Sequence, residues 1–181
     1  VSELQKLAQT EQHPYIAYQR NNYHNVPLWV LVNALTFGML SKMYFFFPSD
    51  LQSKVGKNFP SVNEKQLGPF LSVLTKFRNV CAHNERLFSY RCRDAIPDTK
   101  LHQKLDIPKK GDTYECGKTD LFAVVIAFRY LLPREEFILF KKKLTAQIDV
   151  ISNSANHITR NELLSAMGFP QNWKDITKYK F

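Results

Sequence analysis

Between Leu67 and His83 the apolar residues Leu67, Phe70, Leu71, Leu74, Phe77 and Cys81 recur three and four positions apart. At 100° per residue they gather on one face of a helix, whereas a strand would send neighbours alternately to opposite sides. Nearly every other long segment keeps the same period, and strand alternation is scarce. A chain patterned this way buries its faces helix against helix. The expected fold is therefore all-α, a bundle with short connections and one long basic loop after the Leu67–His83 helix.

Breaker and cap residues divide the rest. A first helix runs from Ser2 to about Gln9, and His13-Pro14 separates it from a second towards Asn21-Asn22. Pro27 suits the first turn of a third helix, which continues as two pieces joined near Thr36-Phe37-Gly38. Ser49-Asp50 caps a short helix ending near Gly56. Ser61 and Glu64 have capping-box spacing ahead of the Leu67–His83 helix, although Gly68-Pro69 allows a fresh start there. Further helices are expected over Asp120–Leu132, from Pro133 through Ile151, over Asn161–Met167 with Gly168 as its stop, and from Pro170 through Trp173. Residues 88–118 keep no sustained period and carry Pro97, Pro108 and Gly111. A loop of that size covers a site, lengthens a binding track or is a flexible insert.

The 181 residues suit a single domain, residues 1–181, and a chain beginning at Val1 without methionine is consistent with missing N-terminal sequence. With 14 Phe, 8 Tyr and 2 Trp, the composition is that of a packed aromatic core and excludes disorder. The net charge of +9 favours polyanionic partners, yet the excess is spread along the chain and locates no site. Cys81, Cys92 and Cys116 are odd in number and contain no C-x-x-C pair. A disulfide framework and a zinc site are both disfavoured, and a reducing cytoplasm is the expected compartment. Leu28–Phe47 is about as long as a membrane span, but Asn33, Thr36, Gly38, Ser41 and Lys42 interrupt it, so it is read as buried core. His13, His24, His102 and His157 lack metal-ligand spacing and are read as structural or exposed. No metal and no cofactor is expected.

The chemistry-bearing stretch is Arg78-Asn79-Val80-Cys81-Ala82-His83. It sets a permanent cation beside the one side chain that exchanges protons near neutral pH. On the helical wheel Ser72, Asn79 and His83 share a polar flank within roughly 40°, and Arg78 lies roughly 50° from the centre of the apolar face. Asn79 and His83 stand at i and i+4, close enough for the amide to orient the imidazole. Alternatively, Arg78 staples the helix to a carboxylate and His83 serves only as its C-terminal cation.

Three blocks resemble the abortive-infection (Abi-like) family of bacterial phage-defence proteins, a branch of the HEPN superfamily. They are Val26–Val30 with Thr36–Lys42, then Arg78–Phe88, then Met167–Trp173. Phe88 departs from the tryptophan of many members, with an effect expected on packing only, and members are often longer at the N-terminus. The resemblance implies a HEPN-type helical fold and, in active relatives, metal-independent RNA cleavage. It carries over Arg78 and His83 as the catalytic pair, with Asn79 as polar helper. Some HEPN domains only bind nucleotides or partners, so a non-catalytic module binding RNA, nucleotide or protein in a defence or toxin–antitoxin system stands as the alternative.

In the nuclease reading His83 is general base to the 2′-hydroxyl or general acid to the leaving 5′-oxygen, and Arg78 holds the scissile phosphate. Relatives dimerise so that two motifs face one cleft, which implies a homodimer with a composite site. Single-stranded RNA is the expected substrate class. Arg86, Arg91 and Arg93 are candidate phosphate contacts, and an antitoxin, guide-like RNA or protein is a candidate further partner. No membrane association is expected.

Overall fold

The computed structural model describes residues 2–59, 61–154 and 158–179; His157 lies outside them. Among the described residues there are ten α-helices, one two-stranded hairpin and a short 3-10 helix, so the protein is all-α. The chain divides into two compact units, Val1–Phe46 and Phe47–Phe181.

The first unit holds α1 (Ser2–Ala8), α2 (Pro14–Tyr23), α3 (Leu28–Val32) and α4 (Phe37–Phe45). Ile16, Val30 and Leu31 form a small core, with Leu7, Ala8, Val26 and Ala34 packed against it. The long apolar run is thus two helices, and the Thr36 hydroxyl caps the second by accepting from the Met39 N–H at 3.2 Å. No helix among the described residues is long and apolar enough to cross a membrane.

The second unit holds α5 (Ser49–Gly56), α6 (Glu64–Ala82), α7 (Lys100–Lys104), the strands β1 (Lys109–Lys110) and β2 (Thr113–Tyr114), α8 (Leu121–Leu131), α9 (Arg134–Ser154) and α10 (Arg160–Met167). A 3-10 helix, Trp173–Thr177, ends it. Helix α6 packs on α8, whose Phe122–Ala127 stretch is buried all round. Phe70 stacks on Tyr130 at 5.6 Å, and Phe169 meets Phe122 and Trp173 at 5.0 and 5.1 Å.

Some local details depart from the sequence reading. The capping box of α6 is Asn63 with Gln66 rather than Ser61 with Glu64: Gln66 N–H donates to Asn63 Oδ1 at 2.9 Å, and Asn63 N–H to Gln66 Oε1 at 3.2 Å. The helix runs through Pro69 without restarting; the missing N–H deprives only the carbonyl of Lys65, an exposed residue of the first turn. Pro170 does not open an α-helix; it precedes the 3-10 turn, whose first residue Trp173 bonds back to the Pro170 carbonyl at 3.0 Å.

Residues 88–118 are more structured than their pattern suggests. They include α7 and the hairpin, and Cys92, Ile96, Leu101, Leu105, Ile107 and Tyr114 are buried. The segment is tied down by Cys92 N–H to the Thr119 carbonyl at 2.8 Å and Ile96 N–H to the Lys118 carbonyl at 3.0 Å. His102, fully buried, donates from Nε2 to the Gly117 carbonyl at 2.9 Å, accepts at Nδ1 from the Thr99 N–H at 3.1 Å, and stacks on Tyr114. It is structural, as read from the sequence, and burial pushes its pKa down. Asp120 is the buried N-cap of α8, accepting from Ala123 N–H at 3.0 Å and Gly117 N–H at 2.9 Å. Burial raises its carboxyl pKa while those donors hold it back.

Candidate functional site

The buried stripe of α6 is Leu67, Phe70, Val73, Phe77 and Val80. Its centre lies roughly 50° round the helix from the face read in the sequence, because Val73 and Val80 turn inward in place of Leu71 and Cys81. Cys81 is exposed. The rotation carries Arg78 to roughly 100° from the stripe, clear of the border position that would have forced it to be paired or partly buried. Arg78, Asn79 and His83 are all exposed.

Arg78 forms no ion pair among the described residues, so it does not staple α6 to a carboxylate. Its Nη1 donates instead to Asn79 Oδ1 at 3.4 Å. His83 is the C-cap of α6, and its backbone N–H donates to the Asn79 carbonyl at 2.9 Å. The Asn79 amide makes no hydrogen bond to the imidazole: its oxygen is turned to Arg78. Arg78 and His83 stand five positions apart, about 7.5 Å along the axis and roughly 140° round it. One copy of α6 therefore brings Arg78 to Asn79, but presents Arg78 and His83 on different flanks.

The chain leaves α6 through a Schellman motif. Asn84 takes the left-handed conformation at φ 54°, its N–H donates to the Cys81 carbonyl at 3.2 Å, and the Glu85 N–H donates to the Val80 carbonyl at 3.0 Å. Asparagine is the residue after glycine best suited to that conformation, and the two bonds fix the direction in which residues 85–90 depart. A turn then follows, closed by Tyr90 N–H to the Leu87 carbonyl at 3.2 Å, with Tyr90 edge-on to buried Phe77 at 5.1 Å.

Of the three later arginines, Arg86 lies 5.9 Å over the Phe88 ring. Arg91 is held by two carbonyls, Ala166 at 2.9 Å and Tyr90 at 3.1 Å, which makes it an anchor of the segment. Arg93 is exposed. A further contact was not foreshadowed: the Ser72 hydroxyl donates to Asp94 Oδ2 at 2.5 Å. Ser72 was visible on the polar flank, but no spacing links it to a residue 22 positions on. Among the described residues no group of His, Cys, Asp or Glu is arranged to hold a metal ion.

Fold and site together define an all-α protein with an exposed Arg-Asn pair and an exposed histidine at the end of one helix. The Abi-like protein family model matches residues 1–89, and over that span the chain is similar to that family. The match takes in α1 to α6 and the whole Arg78–Phe88 block, while Met167–Trp173 lies beyond it. No curated protein and no solved structure matches the chain.

Proposed function

We infer that the protein is a HEPN-type, metal-independent endoribonuclease of bacterial abortive-infection phage defence, acting on single-stranded RNA. The observation that carries this is the exposed Arg78: it forms no ion pair among the described residues, and its guanidinium is directed by Asn79, one helical turn before an exposed His83. With no carboxylate to neutralise it, the guanidinium keeps its charge and most of its donors for the two oxygens of a phosphate.

In the reaction the substrate supplies its own nucleophile. The 2′-hydroxyl loses a proton and its oxygen attacks the adjacent phosphorus, the bond to the 5′-oxygen breaks, and that oxygen takes up a proton. The products end in 2′,3′-cyclic phosphate and 5′-hydroxyl. His83 serves one proton transfer, and Arg78 stabilises the charge on the equatorial phosphoryl oxygens. The separation of Arg78 and His83 around α6 favours a composite site, in which a second copy of the chain supplies the complementary group.

The test compares wild type, His83→Ala and Arg78→Ala on end-labelled single-stranded RNA in excess EDTA. Expected are cyclic-phosphate products from wild type, and a loss of at least about 100-fold in each variant. Both side chains are exposed, so melting temperatures should stay within about 2 °C of wild type. Salt-sensitive RNA binding without cleavage by wild type would instead assign the protein to the binding modules.

A further inference from the structure

The surface beyond His83 carries an aromatic group that the phosphate chemistry does not use. Phe88 is 44% exposed, and the Arg86 guanidinium lies over its ring. Of the other cation–π pairs in the second unit, Lys104 lies over the half-buried ring of Tyr179, whereas two involve rings that are covered: Phe137 is 1% and Tyr114 8% exposed. There the cation lies against core aromatic surface. At Phe88 both partners stand in solvent.

An exposed phenyl ring on a mobile loop would be unexceptional. This one is held at both ends. Upstream, the Schellman bonds at Asn84 and Glu85 fix the exit from α6; downstream, the Leu87–Tyr90 turn carries Phe88 at its first central position. Leu87 is half-buried, Tyr90 is packed edge-on against Phe77, and Arg91 is tied to the Ala166 carbonyl. The ring is therefore displayed on an anchored turn, five residues from His83, and at most about 18 Å of chain separates them.

We propose that Phe88 and Arg86 form a stacking platform for one base of single-stranded RNA beside the phosphodiester served by Arg78 and His83. The inference rests on the nuclease reading for its substrate class. A base has a flat face that packs on the phenyl ring without regard to sequence, and the guanidinium over the ring supplies a cation for the neighbouring phosphate. Stacking fixes the nucleotide while leaving its backbone free to adopt the in-line geometry that 2′-hydroxyl attack requires. A duplex, whose bases are already stacked, does not gain this contact.

The probe is a single-stranded RNA oligonucleotide carrying 2-aminopurine at one position at a time, mixed with His83→Ala protein so that the strand stays intact. Fluorescence quenching is expected at one position of the bound strand. It should be lost in His83→Ala/Phe88→Leu and restored in His83→Ala/Phe88→Trp, with affinity about 10-fold lower in the leucine variant. The salt dependence of binding should be unchanged by Phe88→Leu, whereas Arg86→Gln should reduce its slope by about one ion. Quenching that survives Phe88→Leu, or absence of quenching at every position, overturns the platform. So does a Phe88→Leu defect confined to capture of a protein partner with RNA binding intact. Failure of the nuclease reading is scored separately: a strand that wild type stacks at Phe88 but never cleaves rejects catalysis and keeps the platform.

Discussion

Replacing Gly168 with alanine should be among the most damaging single-methyl additions in the second unit. Gly168 is the residue at which α10 ends, at φ 77°, with its N–H bonded to the Ser165 carbonyl at 3.0 Å. A side chain in that left-handed conformation costs about 1–2 kcal/mol. The space is also taken: a Cβ there would lie 2.6 Å from Asp120 Cβ and closer still to its carboxyl group. Asp120 is rigid, because its carboxylate receives N–H groups of Gly117 and Ala123 and caps α8. Forcing it aside adds an overpacking cost of about 1–3 kcal/mol. The sum, about 3.5 kcal/mol at mid-range, lowers the melting temperature by about 7–14 °C in a chain of this size. Urea unfolding followed by circular dichroism measures it. Gly168→Asn separates the two causes, since asparagine tolerates the left-handed conformation but still brings a Cβ. If collision dominates, Asn should destabilise nearly as much as Ala. In addition, Gly168→Ala combined with Asp120→Ala should destabilise by at least about 1 kcal/mol less than the two changes added. A loss below about 1 kcal/mol for Gly168→Ala, or strict additivity in the double variant, would refute the reasoning.

Further outcomes follow from the same structure. His102 is buried with a depressed pKa, so below its unfolded value of about 6.5 the unfolded chain takes up a proton that the folded chain resists. Stability should therefore fall as pH falls below about 6.5, by up to about 1.4 kcal/mol per unit, and the advantage of wild type over His102→Gln should shrink; an advantage that is constant or grows towards pH 5.5 in chemical denaturation contradicts this. Asn84→Val should cost about 1–2 kcal/mol because a β-branched residue resists φ 54°, whereas Asn84→Gly should stay within a few tenths; equal urea midpoints for the two would remove the Schellman motif as the cause.

The all-α fold and most helix boundaries were legible in the residues themselves. Period, proline, glycine and cap residues act within one or two turns, and that is the range over which a sequence can be read locally. Gly168 ends α10 where its position suggested, and Asp120 caps α8. That the Arg78–His83 stretch spans less than two turns at the end of one helix was legible too. Its orientation was not. Whether Val73 and Val80 or Leu71 and Cys81 turn inward depends on how α6 beds against α8, and that choice released Arg78 into solvent. Residues 88–118 concealed their structure for a similar reason. Their buried positions follow partners such as Thr119, Lys118 and Gly117 that lie well outside any local window, so no period marks them. Local propensity and periodicity thus determined the helices and the chemical inventory. Only tertiary packing decided which inventory faces water, because the free energy of burial belongs to pairs of surfaces rather than to either sequence segment alone.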